Sequence, residues 1–488
     1  MAGIIEAIAR WSRSGVEFGV LARLRARHAI ADTIGCMLAG AGDPAVRAVR
    51  AAFAGSIADG PRCTLAGGGQ GAEGLSALVN GTAAHALDYD DNFRPGASHA
   101  SAVLVPALLG PALARGTSGR SLVDAYLVGL EAQAAVGRGV NPSHYTAGWH
   151  ATSTVGCIGT AAGVAWLCGL DEAGIARAMS LAVSMAAGVK GQFGTPAKPL
   201  HAGLAARNAV EAAALAEHGM TGRPDILEAP QGFRELFGGP DAAGWDEVAI
   251  GAPHVIESEG LMPKRHPCCG STHNAVDIVL DLRARHGFAA EEVAAVETLV
   301  GIANRRNLAY PDPVDEMQAR FSMQYCVALA LLKDRLDLSD FTADAVKNEA
   351  VRSLLPRVTM ASYSEQEERA AAGRPLPHRV AIRLADGRVL AGERAAAKGT
   401  IADPFDDADR RAKFADCCRG VLDASAAGRL HDRLDRLDAE PDLSFLEPAL
   451  ARAGQPTETL RGAGIASRQS GTADQNRPAQ GRLAAEVR

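Results

Sequence analysis

The sequence has few aromatic residues and no excess of basic over acidic residues. Phe, Trp and Tyr together make up 5% of the chain, and the formal net charge is −6. A chain with this charge has no general attraction for nucleic acid or for an anionic membrane surface. We therefore expect neither as a partner, and an anionic ligand would need a local positive site.

Long hydrophobic runs, a cleavable leader and a disulfide pattern are also missing. The apolar segments 101–115 and 155–170 are interrupted by Gly, Pro or polar residues and are short for a membrane span. The first residues include Glu6 and do not form the apolar core of a signal peptide. The nine cysteines match neither a disulfide framework nor an iron–sulfur ligand set. These features predict a cytoplasmic protein with reduced thiols.

Sequence motifs for the common cofactors are absent as well. The segment GGGQGAEG (67–74) lacks the Lys-Ser/Thr of a phosphate-binding loop. The chain contains no G-x-S-x-G elbow, H-E-x-x-H pair or nicotinamide fingerprint. Acid–base chemistry by side chains, without a metal or an organic cofactor, is therefore the economical prediction.

The hydrophobic pattern predicts a mainly α-helical protein with a smaller α+β domain. A chain of 488 residues is long for one core, so two domains are expected. Apolar spacing of three and four predicts an all-helical domain over 1–258. An α+β domain follows at 259–398, where Asp386-Gly387 predicts the turn of a β-hairpin. Helices at 399–452 should pack back on the first domain, and the polar tail 453–488 is predicted to be disordered.

Three segments place a His or Lys and nearby hydroxyl groups at the start of a helix rich in small residues. They are Ser98–Ser101 with His99, His150–Thr154, and Gly194–His201 with Lys198. A helix N-terminus favours anions, so a cation there is unfavourable for the helix alone and suggests a function. The alternative is that these are ordinary N-caps and satisfied core histidines. Three such starts together favour an anion site, with Lys198 on a carboxylate and His99 and His150 as acid–base groups.

An acidic cluster, Asp88-Tyr89-Asp90-Asp91-Asn92, directly follows a predicted helix that ends at His85. The cluster lacks the Gly and Glu of a calcium loop, and no second ligand cluster supports magnesium. A surface acidic turn remains an alternative. We favour Asp88 as the group that orients or protonates a neighbouring histidine.

Two further segments are candidates in the second domain. Lys264–His273 opens a helix with concentrated positive charge, which indicates anion binding or, alternatively, a solvated basic loop. Tyr325 follows Phe321-Ser322-Met323-Gln324 at the start of an apolar helix and is either a core residue or a phenolic proton donor.

Five of these motifs, taken in order, resemble the MmgE/PrpD family. They are HALDYDDNF…SHAS, HYTAGWHATSTVG, GTPAKPLHAGLAARN, KRHPCCGSTH and QARFSMQY, and the likeness runs to about residue 437. The family includes 2-methylcitrate dehydratases, cis-aconitate decarboxylases and an iminodisuccinate epimerase. The resemblance implies an active site between the two domains, a homodimer, and no metal or organic cofactor.

Carried over to this chain, the family pattern implicates a set of site residues. The catalytic candidates are Asp88, His99, His150 and Tyr325, and the substrate-binding candidates are Lys198, Lys264, Asn92, Tyr145, Cys269 and His273. Two positions depart from the decarboxylase pattern. Asn92 stands where that pattern has Thr, and Cys269 stands where it has His.

The resulting hypothesis is a lyase that acts next to a carboxylate on a small di- or tricarboxylate. His150 or His99 would remove a proton, while the lysines and helix N–H groups stabilise the developing negative charge. Dehydration of a 2-methylcitrate type and decarboxylation of a cis-aconitate type are both open. Epimerisation is the first alternative, and a non-catalytic organic-anion binding protein is the second.

Overall fold

The computed structural model describes residues 3–58, 63–371, 374 and 376–455. It confirms a mainly helical protein with a smaller α+β part. Residues 456–488 of the predicted disordered tail lie outside the described residues. No helix in the described ranges is both long enough and apolar enough to cross a membrane.

Within the described residues, the helical part begins with a series of eleven α-helices and a short two-stranded ladder. The helices are α1 (Ile4–Arg13), α2 (Val20–Gly40), α3 (Pro44–Ala52), α4 (Glu73–His85), α5 (Ser101–Ala114), α6 (Gly119–Val140), α7 (Ser143–Ala147), α8 (Val155–Leu167), α9 (Glu172–Val183), α10 (Ala197–Glu217) and α11 (Val255–Ser258). The ladder pairs β1 (Cys63–Thr64) with β2 (Gln70–Gly71) in antiparallel fashion.

The described residues of the α+β part form six α-helices and a mixed four-stranded sheet. Its helices are α12 (Gly270–His286), α13 (Ile302–Asn307), α14 (Glu316–Ala319), α15 (Met323–Leu332), α16 (Glu349–Arg352) and α17 (Glu365–Ala370). Its strands are β3 (Val293–Val300), β4 (Val358–Ser362), β5 (His378–Leu384) and β6 (Val389–Arg394). The strand order is β4-β3-β5-β6, with β3 parallel to β4 and the other pairs antiparallel. The predicted hairpin is present, and Gly387 supplies the positive φ of 89° that its turn needs.

Buried apolar side chains form two main clusters that follow this division. One contains residues from α1 to α11 together with Phe414, Leu434 and Leu450 of the last helices, α18 (Asp407–Cys418), α19 (Ala424–Leu434) and α20 (Glu447–Arg452). The other runs from Cys268 to Leu384 and fills the space between the sheet and helices such as α12 and α15. The domain bounds at 258 and 398 stay predictions.

Close packing of small residues positions two of the functional segments. A Cβ atom added at Gly81 in α4 would come within 2.9 Å of the Cα of Gly203 in α10. His85 lies four residues after Gly81 at the end of α4, and Lys198 lies five residues before Gly203 in the first turn of α10. Because the two helices touch backbone to backbone there, the end of one meets the start of the other.

The chain between α14 and α15 leaves the helical conformation at Ser322, and this break decides which ring reaches the site. Ser322 has extended backbone angles, and its side chain accepts a hydrogen bond from the backbone N–H of Tyr325, so it is the N-cap of α15. Phe321 therefore lies outside the helix while Tyr325 lies within it. The two rings do not share a helix face.

Candidate active site

A cavity of about 620 Å³ brings together most of the residues singled out in the sequence. Asp88, Asn92, His99, Tyr145, His150, Lys198 and Cys269 all line it. The three predicted helix starts therefore meet at one cleft, although they are about fifty residues apart along the chain.

Asp88 is the centre of the charged part of the site. One carboxylate oxygen accepts a hydrogen bond from Lys198 Nζ at 2.5 Å, and the other accepts one from Lys264 Nζ at 2.9 Å. Burial opposes ionisation of Asp88, but the ammonium groups of Lys198 and Lys264 outweigh it and hold the pKa of the carboxyl well below its usual range. Asp88 also has a positive φ of 51°, a backbone conformation that is uncommon outside glycine.

The two lysines differ in how they face the cavity. Lys198 lines it, whereas Lys264 is fully buried behind Asp88 and also donates to the Asp88 carbonyl at 2.7 Å. Burial lowers the pKa of Lys264, but Asp88 and then Asp90 more than reverse this and raise it. Lys264 therefore acts on Asp88, and Lys198 is the ammonium group placed to meet a ligand.

A chain of hydrogen bonds continues from Lys198 through His85 to Asp90. Lys198 Nζ lies 2.9 Å from His85 Nε2, and His85 Nδ1 lies 2.8 Å from Asp90 Oδ2. Burial lowers the pKa of His85 to about 3, so the ring is neutral at pH 7. A neutral ring in this position accepts from the ammonium group at Nε2 and donates to Asp90 from Nδ1.

His99 has its tautomer fixed by a backbone carbonyl. Its Nδ1 lies 2.9 Å from the Asp91 carbonyl oxygen and 3.3 Å from Asp90 Oδ2. The Asp91 carbonyl and the ionised Asp90 carboxylate can only accept a hydrogen bond. Nδ1 of His99 therefore carries the hydrogen, and Nε2 carries a lone pair. The side chain is 15% exposed and lines the cavity, so this lone pair is available to a ligand.

The carboxyl group of Asp91, whose backbone carbonyl contacts His99, is buried and hydrogen-bonded to other side chains. It accepts a hydrogen bond from the hydroxyl group of Ser101, which lies 2.7 Å from the hydroxyl group of Tyr126. Burial, reinforced by Asp32 and Asp90, raises the pKa of Asp91 to about 7 despite the hydrogen bond from Ser101.

His150 lies nearer the aromatic side of the cleft. Its Nδ1 is 3.1 Å from His201 Nδ1, and Nε2 is buried without a hydrogen-bond partner among the described residues. Burial, followed by the positive charge of Lys198, holds the pKa of His150 well below the usual value. Phe193 and Phe321 complete this side, with Lys198 Nζ 5.3 and 5.4 Å from their ring centres.

One group of side chains in the described ranges has the geometry to hold a metal ion. His85, Asp90 and His99 place one ligand atom each within 4.8 Å of one another. The same atoms already satisfy each other through the hydrogen bonds described above, and the Lys198 ammonium group 2.9 Å from His85 would repel a cation. The absence of a metal cofactor stays a prediction.

The remaining wall comes from α12, α13 and the start of β5. Its polar lining residues are Cys269, Ser271, Asn274, Asn304, Asn307 and His378. Tyr145, a predicted binding residue, lies 3.4 Å from Asn307 Nδ2, and the ammonium group of Lys190 lies 3.6 Å from the centre of its ring. Burial and then the charge of Asp88 raise the pKa of Cys269, so its thiol is held protonated.

Besides Lys264, which lies behind Asp88, two of the predicted residues do not line the cavity and do not contact the charged cluster. The hydroxyl group of Tyr325 donates to the Asp340 carbonyl at 2.6 Å, and its ring packs against Phe341 in the core of the α+β part. His273 is fully buried, with Nε2 3.2 Å from the Cys268 carbonyl. Neither residue lines the cavity, so the prediction of Tyr325 as proton donor needs correction: its proton is already engaged in the core. Phe321 takes the place at the cleft.

Several lining or supporting residues were not among the predicted ones. They are His85, Asp90, Phe193, His201, Asn274, Phe321 and His378. His85, Asp90 and His201 lie inside the quoted motifs, and their closeness to Asp88 and Lys198 was a usable signal. Asn274 directly follows the KRHPCCGSTH motif and His378 begins β5, so neither residue lies inside a quoted motif.

The fold and the site together define a class: a large helical part and a smaller α+β part enclosing a buried cleft with paired lysines and several neutral histidines. Comparison with known families agrees with it. Residues 7–246 match the MmgE/PrpD N-terminal domain, and residues 266–438 match the MmgE/PrpD C-terminal domain. The chain belongs to the MmgE/PrpD family.

Several curated relatives of this chain are named cis-aconitate decarboxylase. The chain is 31% identical over 294 residues to a cis-aconitate decarboxylase of Homo sapiens. The matched region covers 58% of this chain and 60% of that protein. It is 27% identical over 387 residues to one of Mus musculus, covering 76% and 77%. It is 24% identical over 447 residues to one of Aspergillus terreus, covering 86% and 90%. The match to the human protein thus spans less than two thirds of that protein's length.

Proposed function

We propose that this protein is a lyase that decarboxylates a small unsaturated tricarboxylate, with cis-aconitate as the first candidate. The observation that carries the proposal is the placement of His99 in the same cleft as Lys198. Nε2 of His99 is free to exchange a proton with a ligand, and the ammonium group beside it attracts a carboxylate. The names of the relatives support decarboxylation among the reactions that such a site could serve.

The reaction needs a proton donor at carbon. cis-Aconitate carries three carboxylates around one C=C bond. When CO₂ leaves the saturated arm, the electron pair of the broken C–C bond forms a new C=C bond, and the pair of the old double bond takes up a proton at its far carbon. The products are CO₂ and a methylenesuccinate dianion, and one proton is consumed. Loss of CO₂ from the alkene carbon itself would leave a localised carbanion instead.

His99 is the group we assign to hold that proton. A bound polyanion raises the pKa of a nearby imidazole because opposite charge favours the cation. The imidazolium form of His99 would be supported by Asp90, 3.3 Å from Nδ1, and would present its second N–H to the substrate. His150 has no carboxylate contact of this kind and lies close to Lys198, so we assign it a neutral hydrogen-bonding role.

Lys198 is the group we assign to hold a substrate carboxylate. Asp88 and His85 accept two of its three N–H groups, which leaves one for the ligand. Phe193 and Phe321 beside it limit access of water, and a positioned cation is worth more in such surroundings than in water. A homodimer and a cytoplasmic location stay predictions from the family resemblance and the cysteine pattern.

A substrate panel tests the proposal. The purified protein is incubated with cis-aconitate, 2-methylcitrate, citrate and iminodisuccinate, and products are followed by NMR together with CO₂ release. We expect CO₂ and a methylenesuccinate from cis-aconitate. Dehydration of a hydroxy acid or inversion without CO₂ would overturn decarboxylation in favour of the other family reactions. Binding of these acids without any reaction would favour an organic-anion binding protein.

A further inference from the structure

The α+β part contributes a polar wall to the cleft. Among its described lining residues at 269–307 and 378, none carries a charge. Gly270, Ser271, Asn274 and His378 of this wall lie with Asn92 of the helical part, and all five line the cavity. We call this group the α12 subsite, because α12 begins at Gly270.

His378 is the clearest sign that a ligand belongs there. The residue is 5% exposed, and its Nδ1 has no hydrogen-bond partner among the described residues. Burial lowers the pKa of His378 to about 4, so the ring is neutral at pH 7. A buried polar atom without a partner costs about 1–3 kcal/mol, and native structures rarely keep one without a reason.

Two amide side chains repeat the same feature. Asn92 Nδ2 and Asn274 Oδ1 are buried atoms without hydrogen-bond partners among the described residues. A half-turn of the Asn274 amide would present its Nδ2 group instead, with little change in shape. The subsite therefore offers up to three uncharged donors.

The start of α12 adds backbone donors beside them. α12 begins at Gly270, and the N–H groups of a first helical turn lack partners within the helix. The N–H of Ser271 faces the thiol of Cys269. A Cβ atom added at Gly270 would lie 2.7 Å from Asn92 Nδ2. Glycine thus allows the amide of Asn92 to reach the helix start, where the helix dipole favours an anion.

We infer that the α12 subsite binds a second carboxylate of the substrate, remote from the reacting carbon, through uncharged N–H donors. This inference rests on the proposed function only in that it takes the ligand to be a polycarboxylate. It assigns the two ends of the ligand different partners: Lys198 holds one carboxylate by charge, and the α12 subsite holds another by hydrogen bonds and the helix dipole. A carboxylate can bind there without a further buried cation.

Two substitutions test the subsite, each with a matched control. Asn274→Asp places a carboxylate where we expect the ligand's own, and Asn348→Asp makes the same change at an exposed N-cap that lies outside the cleft. Gly270→Ala displaces the Asn92 amide, and Gly428→Ala adds the same methyl group in α19, where nothing lies within 4 Å.

The measurement is calorimetric binding of propane-1,2,3-tricarboxylate, a saturated tricarboxylate that lacks the double bond that decarboxylation requires. Loss of a hydrogen bond to a charged group corresponds to about a tenfold or greater loss of affinity. We expect losses of that order for Asn274→Asp and Gly270→Ala, and wild-type affinity for both controls. Thermal unfolding of each variant establishes that it is folded.

The outcomes separate this inference from the proposed function. Wild-type affinity in folded Asn274→Asp and Gly270→Ala proteins would overturn the subsite, as would failure of the wild-type protein to bind the probe. The expected binding pattern in a protein that releases no CO₂ from cis-aconitate would uphold the subsite and overturn decarboxylation. Release of CO₂ from cis-aconitate together with unchanged binding in both variants would uphold decarboxylation and overturn the subsite.

Discussion

Replacement of Asp91 by Asn should make the protein more stable at neutral and alkaline pH. The carboxyl group is fully buried, and its pKa is raised from 3.8 to about 7. The folded protein therefore keeps a proton that the unfolded chain has already released between these two values. Stability contributed by the neutral form is complete below about pH 4, falls as pH rises, and is lost above about pH 7.

The size of the effect follows from the same interval. At about 1.4 kcal/mol for each pH unit between 3.8 and about 7, ionisation of Asp91 costs the folded state about 4 kcal/mol at pH 8. Asparagine cannot ionise, so the variant avoids this cost. It can also keep the local contacts, since its amide can donate to the Ser101 hydroxyl, which then donates to Tyr126.

Urea unfolding at pH 5 and pH 8.5 measures the difference. We expect the free energy of unfolding of Asp91→Asn, relative to wild type, to rise by a few kcal/mol between the two pH values. The histidines of the unfolded chain titrate in the same range, but they are common to both proteins, so their effect cancels. Asp334→Asn, at a side chain that is 99% exposed, serves as the control and should show no such rise. Equal pH dependence in Asp91→Asn and wild type would refute the reasoning.

Three further predictions concern the cleft. Asp88→Asn removes the carboxylate that Lys198 and Lys264 share, so unfolding in urea should become easier by about 3–5 kcal/mol, and an unchanged midpoint would argue against the ion cluster. Tyr325→Phe should retain near-normal turnover and lose only about 1 kcal/mol of stability, because the hydroxyl group of Tyr325 donates to the Asp340 carbonyl. Loss of turnover in the folded Tyr325→Phe protein would support a catalytic role for Tyr325. If His99 donates the proton as an imidazolium ion, the turnover rate with cis-aconitate should fall as pH rises through the pKa of the complex, and a rate that rises instead would indicate a base.

The sequence pattern predicts the fold well because its signals are local. Helical periodicity in the first part, alternation in β3 and the Asp386-Gly387 turn all depend on residues within one element. The three cationic helix starts are local in the same way, which is why His99, His150 and Lys198 could be singled out. Their meeting in one cleft depends on close packing such as that of Gly81 on Gly203.

The rest of the site depends on contacts that no short pattern records. Whether Phe321 or Tyr325 faces the cleft is decided by the N-cap at Ser322, which breaks a helix that the periodicity would continue. His378 begins β5 next to Arg379, and it lines the cavity only because of how the sheet packs. His85 lies inside the HALDYDDNF motif, but the motif does not show that its ring contacts Lys198, more than a hundred residues further along the chain.

The most direct test of the account compares wild type with His99→Asn in D₂O, using cis-aconitate and NMR. The Nδ2 group of the introduced amide would overlay Nδ1 of the imidazole and can still donate to the Asp91 carbonyl, but the amide has no counterpart of Nε2. We predict one solvent deuterium at a single carbon of the wild-type product, and a rate about 10²–10⁴-fold lower in the variant. A folded His99→Asn protein that forms the same product at a near-normal rate would contradict the assignment of His99 as the proton donor.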